Sequence, residues 1–174
     1  MPCTGVRKKT VIYKNTKTMT QTEKISKYSE LLPQIEALVS GVKYGISSLA
    51  NVAAAVHRTI NFFWTGFYVV DGENLLLGPF QGDPACITIP KGRGVCGTAW
   101  LKGETVVVED VEKFPGHIAC SSLSKSEIVV PVFSKSGRIT AVLDIDSDSL
   151  ATFDETDKLY LEKIAACLKE YERY

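Results

Sequence analysis

The sequence predicts a single α+β domain, with a central antiparallel sheet, helices on one face and a loop-covered pocket on the other. Apolar residues recur at helical spacing near the start and at the end of the chain, whereas the middle consists of short strand-like runs bounded by turns. A length of 174 residues suits one domain with a full core. Helices, hairpin-connected strands and a closing helix bury their apolar faces as two layers, which leaves the second face of the sheet to the connections between strands.

Helical periodicity predicts two helices before the strands and one after them. The first covers 22–41, where Pro33 would kink the helix or begin a new turn. The last covers 154–174, with Asp154 as its N-cap and Asp157 at the N3 position. The second helix precedes the strands, and one apolar face of it would be formed by Ile46, Leu49, Ala53, Val56 and Ile60.

The period changes to that of strands at residue 61. Residues 61–80 are predicted to form two strands around the turn at 71–74, and residues 127–147 two strands around the turn at 134–137. The remaining segments are a short strand at 86–90, helical turns at 94–103, an extended segment at 105–110 and a loop at 113–125.

Charge and hydropathy exclude several classes of protein. The 20 basic and 20 acidic residues give no formal net charge, so neither nucleic acid nor an anionic membrane is expected as a partner. No apolar run reaches the roughly 18–20 residues of a spanning helix, and no secretory signal is recognised. The reducing cytoplasm is therefore expected, and there the cysteines would be free or catalytic rather than structural.

The start of the chain has an unusual composition. Residues 1–22 contain five basic and no acidic residues. This pattern predicts a solvated basic tail ahead of a catalytic domain at 23–174, and an organellar targeting segment is the alternative. Cys3, which lies in this tail, has no predicted role.

Three acidic side chains are predicted to meet above the free face of the sheet. Successive strand residues point to opposite faces, so Asp144 and Asp146 share the face away from the helices, about 7 Å apart. Glu127 opens the neighbouring strand. Like charges and desolvation oppose ionisation, so one carboxyl group could stay protonated near neutral pH and donate a proton, whereas strand-end acids in water are the alternative. The face toward the helices would be formed by Ile139, Ala141, Leu143 and Ile145.

Cys86, Cys96 and Cys120 lie within 35 residues, but their spacing is not that of a metal site. Zinc sites usually contain close cysteine pairs and four ligands, whereas 9 and 23 residues intervene here, so no metal is expected. The Gly- and Ser-rich surroundings of Cys120 predict an exposed loop rather than burial, and a thiolate with a resolving thiol is a minimal redox site. His117 could assist ionisation or be a surface histidine, and Cys167 is expected in the core.

Five stretches resemble the free methionine-(R)-sulfoxide reductases, which are GAF-domain enzymes. They are WTGFYVV at 64–70, LLLGPFQGDPACITIPKGRGVCGTAW at 75–100, EDVEKFPGHIACSS at 109–122, SEIVVPVF at 126–133 and VLDIDS at 142–147. The resemblance extends from about residue 25 to residue 170. The three cysteines in these contexts are its most specific part, because a GAF sensor has no need of a resolving thiol.

The resemblance implies a GAF-like fold and a thiol reaction without a cofactor. Free L-methionine (R)-S-oxide would be reduced by Cys120, which becomes a sulfenic acid. Cys96 or Cys86 would then form a disulfide with it. Both positions match the family, and we favour Cys96 as the first partner. A thioredoxin-like protein would restore the thiols by exchange.

The resemblance also implies the substrate pocket. Glu127, Asp144 and Asp146 would protonate or polarise the sulfoxide oxygen and hold the substrate ammonium group, and Trp64 would form an aromatic wall. The loop with Cys120 is expected to act as a lid that selects a free amino acid over a peptide. A non-catalytic GAF sensor of a small molecule or of redox state is the alternative function. A homodimer is left open.

Overall fold

A six-stranded antiparallel sheet organises the protein, whose computed structural model describes residues 19–42, 45–118 and 120–169. The strands are β1 (Trp64–Asp71), β2 (Asn74–Gln81), β3 (Thr88–Pro90), β4 (Val106–Val108), β5 (Ser126–Phe133) and β6 (Ile139–Ser147). The helices are α1 (Gln21–Val39), α2 (Gly45–Ile60), α3 (Gly94–Lys102) and α4 (Glu155–Ala166), with a 3-10 turn at Val111–Lys113. The strand order is β3-β2-β1-β6-β5-β4. None of the described helices is long and apolar enough to cross a membrane.

Three helices cover one face of the sheet, which confirms the predicted layer. Side chains of α1, α2 and α4 pack against strand residues that alternate along β1, β5 and β6, as the period of a strand requires. The strand residues of this core include Phe67, Val69, Ile128, Val130, Leu143 and Ile145. Two residues of the predicted faces lie elsewhere, since Ile46 is exposed and Ile139 packs in the core on the opposite side of the sheet. A register shift between Val132 and Phe133, the partner of Ile139, accounts for the second exception.

The second face of the sheet carries a smaller core and is covered by more than loops. Helix α3, one of the connections between strands, packs Val95, Ala99 and Trp100 against this face. Gly103 ends this helix in the left-handed conformation at φ 70°, as the sequence predicts for a glycine cap. The helix positions Cys96 over β5 and β6, and this placement brings the residue into the site described below.

Buried charge ties α1 to α4. Lys24 is buried, and its Nζ donates to the Thr152 carbonyl at 2.8 Å and to the carboxylates of Asp154 and Asp157. Tyr28 lies on α1 like Lys24, and its hydroxyl donates a hydrogen bond of 2.9 Å to Asp157. Asp154 is the N-cap of α4 with Asp157 at N3, which confirms the sequence prediction.

The first helix lies close to its predicted bounds, whereas the last helix ends earlier than predicted. Pro33 lies inside a continuous α1 rather than at a new start. Helix α4 ends at Ala166, and Cys167 is half-buried at the edge of the core instead of inside it. Residues 1–18, with Cys3, and residues 170–174 lie outside the described residues, so the division into a tail at 1–22 and a domain at 23–174 stays a prediction.

Candidate active site

A cavity opens on the second face of the sheet, between the start of β1, the start of β5 and the end of β6. Its empty volume is about 560 Å³ when the solvent in its open mouth is counted. The loop before β3 and the loop before β5 form its rim, and the first turn of α3 closes one side. Six of the seven predicted site residues line it: Trp64, Cys96, Cys120, Glu127, Asp144 and Asp146.

The seventh predicted residue, Cys86, reaches the cavity through a disulfide with Cys120. The two Cα atoms are 5.3 Å apart, although 34 positions separate the residues along the chain. This pairing differs from the one we favoured, because Cys96 is a free thiol here. The physical reason lies in the backbone. Cys96 is buried within α3, whereas Cys86 and Cys120 both lie on loops that face each other across the cavity mouth.

Strand register brings the three acidic residues together as predicted. Glu127 of β5 is directly opposite Asp146 of β6, and Asp144 is two residues away on the same face. Glu127 and Asp144 are each only 6% exposed. Burial, with the neighbouring carboxylates adding to it, raises the pKa of Glu127 and of Asp144 well above the usual values. Burial also raises the pKa of Asp146 to about 6. The cluster therefore holds protons at a pH where surface carboxylates are ionised.

Cys96 completes this buried polar group. Its thiol points at Glu127 Oε1, 3.9 Å away, and burial followed by the nearby carboxylates raises the pKa of the thiol well above the usual value. One ligand atom each from Cys96, Glu127 and Asp144 lie within 4.8 Å of one another, a spacing that suits a bound cation, whether an ammonium group or a metal ion. Asp144 Oδ1 is buried and has no hydrogen-bond partner among the described residues. None of the described residues lining the cavity is Lys or Arg, so a carboxyl group of the cluster that ionises has no basic side chain of the cavity beside it.

His117 lies on the rim rather than on an open surface. Its Nε2 is 3.9 Å from Glu127 Oε2, and the side chain lines the cavity. Burial lowers the pKa of His117, so the imidazole is neutral at pH 7. A neutral imidazole adds little charge to the cluster.

Trp64 forms one wall of the cavity, as predicted. Its ring stacks on Phe80 with centroids 5.5 Å apart, and its Nε1 donates to the Asp83 carbonyl at 3.0 Å. Glycines leave room for the indole. At Gly82, which has φ +126°, a Cβ atom would lie 2.5 Å from Trp64 Cδ1, and at Gly66 a Cβ would overlap the far edge of the ring. The indole is therefore held by stacking, by a hydrogen bond and by the absence of side chains around it.

Tyr68 is a site residue that the sequence prediction missed. It lies four residues after Trp64 on the same strand face, is buried, and lines the cavity. Its hydroxyl donates to the carbonyl of Cys86 at 3.0 Å. Two side chains of β1 thus hold two carbonyls of the loop that carries Cys86, those of Asp83 and of Cys86 itself. The shared strand face was the available signal, but nothing in the sequence indicates which backbone atom the hydroxyl would meet.

Comparison with known proteins identifies a family and several relatives that match most of this chain. The GAF domain family matches residues 48–167. GAF domain-containing protein A of Dictyostelium discoideum is 60% identical over 146 residues, which cover 83% of this chain and 92% of that protein. Free methionine-R-sulfoxide reductase of Escherichia coli is 42% identical over 144 residues, covering 82% of this chain and 87% of that protein. The X-ray structure of the Neisseria meningitidis reductase of that name, in complex with its substrate, is 54% identical with a TM-score of 0.81, covering 87% and 90% of the two chains.

Proposed function

The chain belongs to the GAF-domain free methionine-R-sulfoxide reductases, and we propose that it reduces free L-methionine (R)-S-oxide to methionine with Cys120 as the nucleophile. The observation that carries this proposal is the Cys86–Cys120 disulfide at the rim of a cavity lined by protonated carboxyl groups. A redox-active thiol pair and a proton source beside one small cavity are what sulfoxide reduction requires.

The cavity accounts for binding of a small zwitterionic amino acid. The ammonium group would lie beside Asp146 of the acidic cluster, because a carboxyl group with a pKa of about 6 is ionised at neutral pH and no described lining residue is Lys or Arg. The Trp64 ring would contact the S-methyl group, which is the apolar end of the substrate. These two contacts orient the sulfoxide sulfur toward Cys120 on the rim.

The first chemical step transfers oxygen from substrate to enzyme. Sulfoxide oxygen leaves poorly until it is protonated, so a carboxyl group of the cluster donates a hydrogen bond or a proton to it. The Cys120 sulfur attacks the substrate sulfur, and in this adduct a bond forms between the Cys120 sulfur and the oxygen as the substrate's sulfur–oxygen bond and the transient sulfur–sulfur bond break. Methionine leaves, reduced by two electrons that Cys120 supplies. The oxygen stays on Cys120 as a sulfenic acid, the first reversible stage of cysteine oxidation. Glu127 and Asp144 are the best proton donors, because they are the more buried of the three acids.

The second step closes the disulfide. The Cys86 thiolate attacks the Cys120 sulfenic sulfur, a sulfur–sulfur bond forms, and the oxygen departs as water. The 5.3 Å between the two Cα atoms supports Cys86, rather than Cys96, as the resolving thiol. Cys96 remains a protonated thiol of the pocket wall. A dithiol protein of the thioredoxin kind then reduces the disulfide, which is consistent with the expected cytoplasmic setting. The homodimer stays a prediction.

Thiol and product counts test this sequence of steps. Reduced protein is mixed with racemic methionine sulfoxide without any reductant. The proposal predicts one methionine per chain and a fall from five thiols to three, the number left when one disulfide forms. Cys120→Ser should abolish both events, and Cys167→Ser, which alters a thiol at the edge of the helix core, should reach the same count of methionine.

Two further variants separate the roles of the other thiols. Cys86→Ser should still release one methionine but leave a sulfenic acid that dimedone traps. Cys96→Ser should still form the disulfide, with weaker substrate binding. If Cys96→Ser blocks the disulfide and Cys86→Ser does not, the assignment of the resolving thiol is wrong.

A further inference from the structure

We propose that Ile87 and Leu123 form a docking surface for the dithiol protein that reduces the Cys86–Cys120 disulfide. The inference rests on the proposed function for its role in turnover, but the surface itself is defined by exposure and by the disulfide. Ile87 is 76% exposed, the largest exposed fraction of any described large hydrophobic residue, and Leu123 is 43% exposed. Exposed apolar side chains grouped at a reactive site indicate an interaction surface.

The two side chains flank the disulfide from both loops. Ile87 follows Cys86 directly, and Leu123 lies three residues after Cys120. Because the two cysteine Cα atoms are 5.3 Å apart, both apolar residues lie within three positions of the same disulfide. Neither residue lines the cavity, so neither has a role in holding the substrate.

The exposure of Ile87 is a property of ordered backbone. The Ile87 carbonyl accepts a hydrogen bond of 2.9 Å from the Leu77 amide of β2, and β3 begins at the next residue. The exposed Ile87 side chain is therefore attached to ordered backbone at the position next to Cys86. On the other loop, the Leu123 amide donates to the Ser121 hydroxyl at 3.2 Å, which stabilises the turn after Cys120.

The chemistry of recycling requires a partner at this position. An external thiolate must attack one sulfur of the disulfide and form a mixed disulfide while the other sulfur leaves as a thiolate. The second thiol of the partner then displaces the first cysteine, so two electrons pass from the dithiol to the disulfide. Both cysteines are half-buried, which restricts the direction of attack. A protein that covers Ile87 and Leu123 would gain apolar burial and hold its thiolate in line, whereas a small hydrophilic thiol gains nothing from these side chains.

Reduction of the isolated disulfide tests the docking surface without substrate. The oxidised protein is mixed with reduced bacterial thioredoxin, and the second-order rate constant of disulfide reduction is measured from thioredoxin fluorescence. The same measurement is made with dithiothreitol. The variants are Ile87→Ser, Leu123→Ser and both together. Leu159→Ser is the matched control, since Leu159 is 50% exposed but belongs to α4 in the helix layer on the other face.

We expect the double variant to react about tenfold more slowly with thioredoxin, as removal of two central apolar contacts commonly does, and at an unchanged rate with dithiothreitol. The control should match the unaltered protein with both reductants. The inference is overturned if thioredoxin reacts equally fast with all variants, or if both reductants slow together. It is also overturned if the variants convert a dimer to monomers by light scattering, because the surface would then belong to a second copy. A failure of the proposed function would instead appear as no methionine released from the sulfoxide.

Discussion

The carboxyl cluster should make the protein less stable as pH rises through 6. The pKa of Asp146 is raised to about 6 by burial, whereas an Asp in the unfolded chain has a pKa of about 3.9. The folded state therefore binds the extra proton more tightly, so this contribution to stability is present at low pH and is lost as pH rises through the folded value. Since pH 5 lies about one unit below that value, Asp146 alone should lower the free energy of unfolding by ~1.4 kcal/mol between pH 5 and pH 7.5.

Urea unfolding of the oxidised protein at the two pH values measures this effect. In Asp146→Asn the loss between pH 5 and pH 7.5 should be smaller than in the unaltered protein by at least ~1.4 kcal/mol, because removing this charge also relieves Glu127 and Asp144. Asp148→Asn, which removes a carboxylate from the same segment outside the active-site cavity, is the control. The reasoning is refuted if Asp146→Asn keeps the full pH dependence of the unaltered protein.

Three other changes have defined outcomes. Tyr68→Phe removes the hydrogen-bond donor to the Cys86 carbonyl. Methionine should be released as before, but disulfide formation, measured by quenched thiol labelling, should be about three- to tenfold slower. Equal rates of disulfide formation would contradict a positioning role for Tyr68. Lys24→Met leaves Asp157 buried without its cation and should lower the free energy of unfolding, measured in urea, by ~3–5 kcal/mol. Lys27→Met removes only a hydrogen bond to a backbone carbonyl and should lower it by ~1 kcal/mol. Similar losses in the two variants would contradict the importance of the buried charge. A tripeptide with an internal methionine sulfoxide should be reduced much more slowly than the free amino acid, because its flanking residues do not fit the cavity. The rate of sulfoxide reduction is compared for the two substrates. Comparable rates would show that the cavity does not select the free amino acid over a peptide.

The elements and the acidic cluster could be predicted because they depend on local periodicity. The N-cap at Asp154 follows from residue type and spacing, and the approach of Glu127 to Asp146 follows from strand alternation across a tight turn. Ile139 shows the limit of that reasoning, since one irregularity in the pairing of β6 with β5 sends it to the other face. Ile46 shows another limit, because a helical stripe does not say how far the neighbouring layer extends.

The disulfide partner and the hydrogen bonds of the loop could not be predicted, because both depend on distances through space. Cys86 and Cys96 have equally plausible positions along the chain, and only the fold places one on a facing loop and the other inside a helix. Tyr68 carries no motif that distinguishes a donor to the Cys86 carbonyl from an ordinary core tyrosine. The sequence resemblance implies the chemistry, and the geometry shows that Cys86 is paired with Cys120 while Cys96 is a free thiol.

The disulfide between Cys86 and Cys120 also affects the thermal stability of the protein. It joins two segments 34 positions apart. Closing a loop of that size lowers the conformational entropy of the denatured chain, which stabilises the folded state by about 4 kcal/mol. In the proposed cycle the protein therefore alternates between this disulfide-linked form and a reduced form that melts at a lower temperature. In a cell rich in reductant, the enzyme would be kept in its reduced form, which is ready for substrate but less stable to heat. Oxidation would make the fold more stable while the disulfide prevents a further turnover.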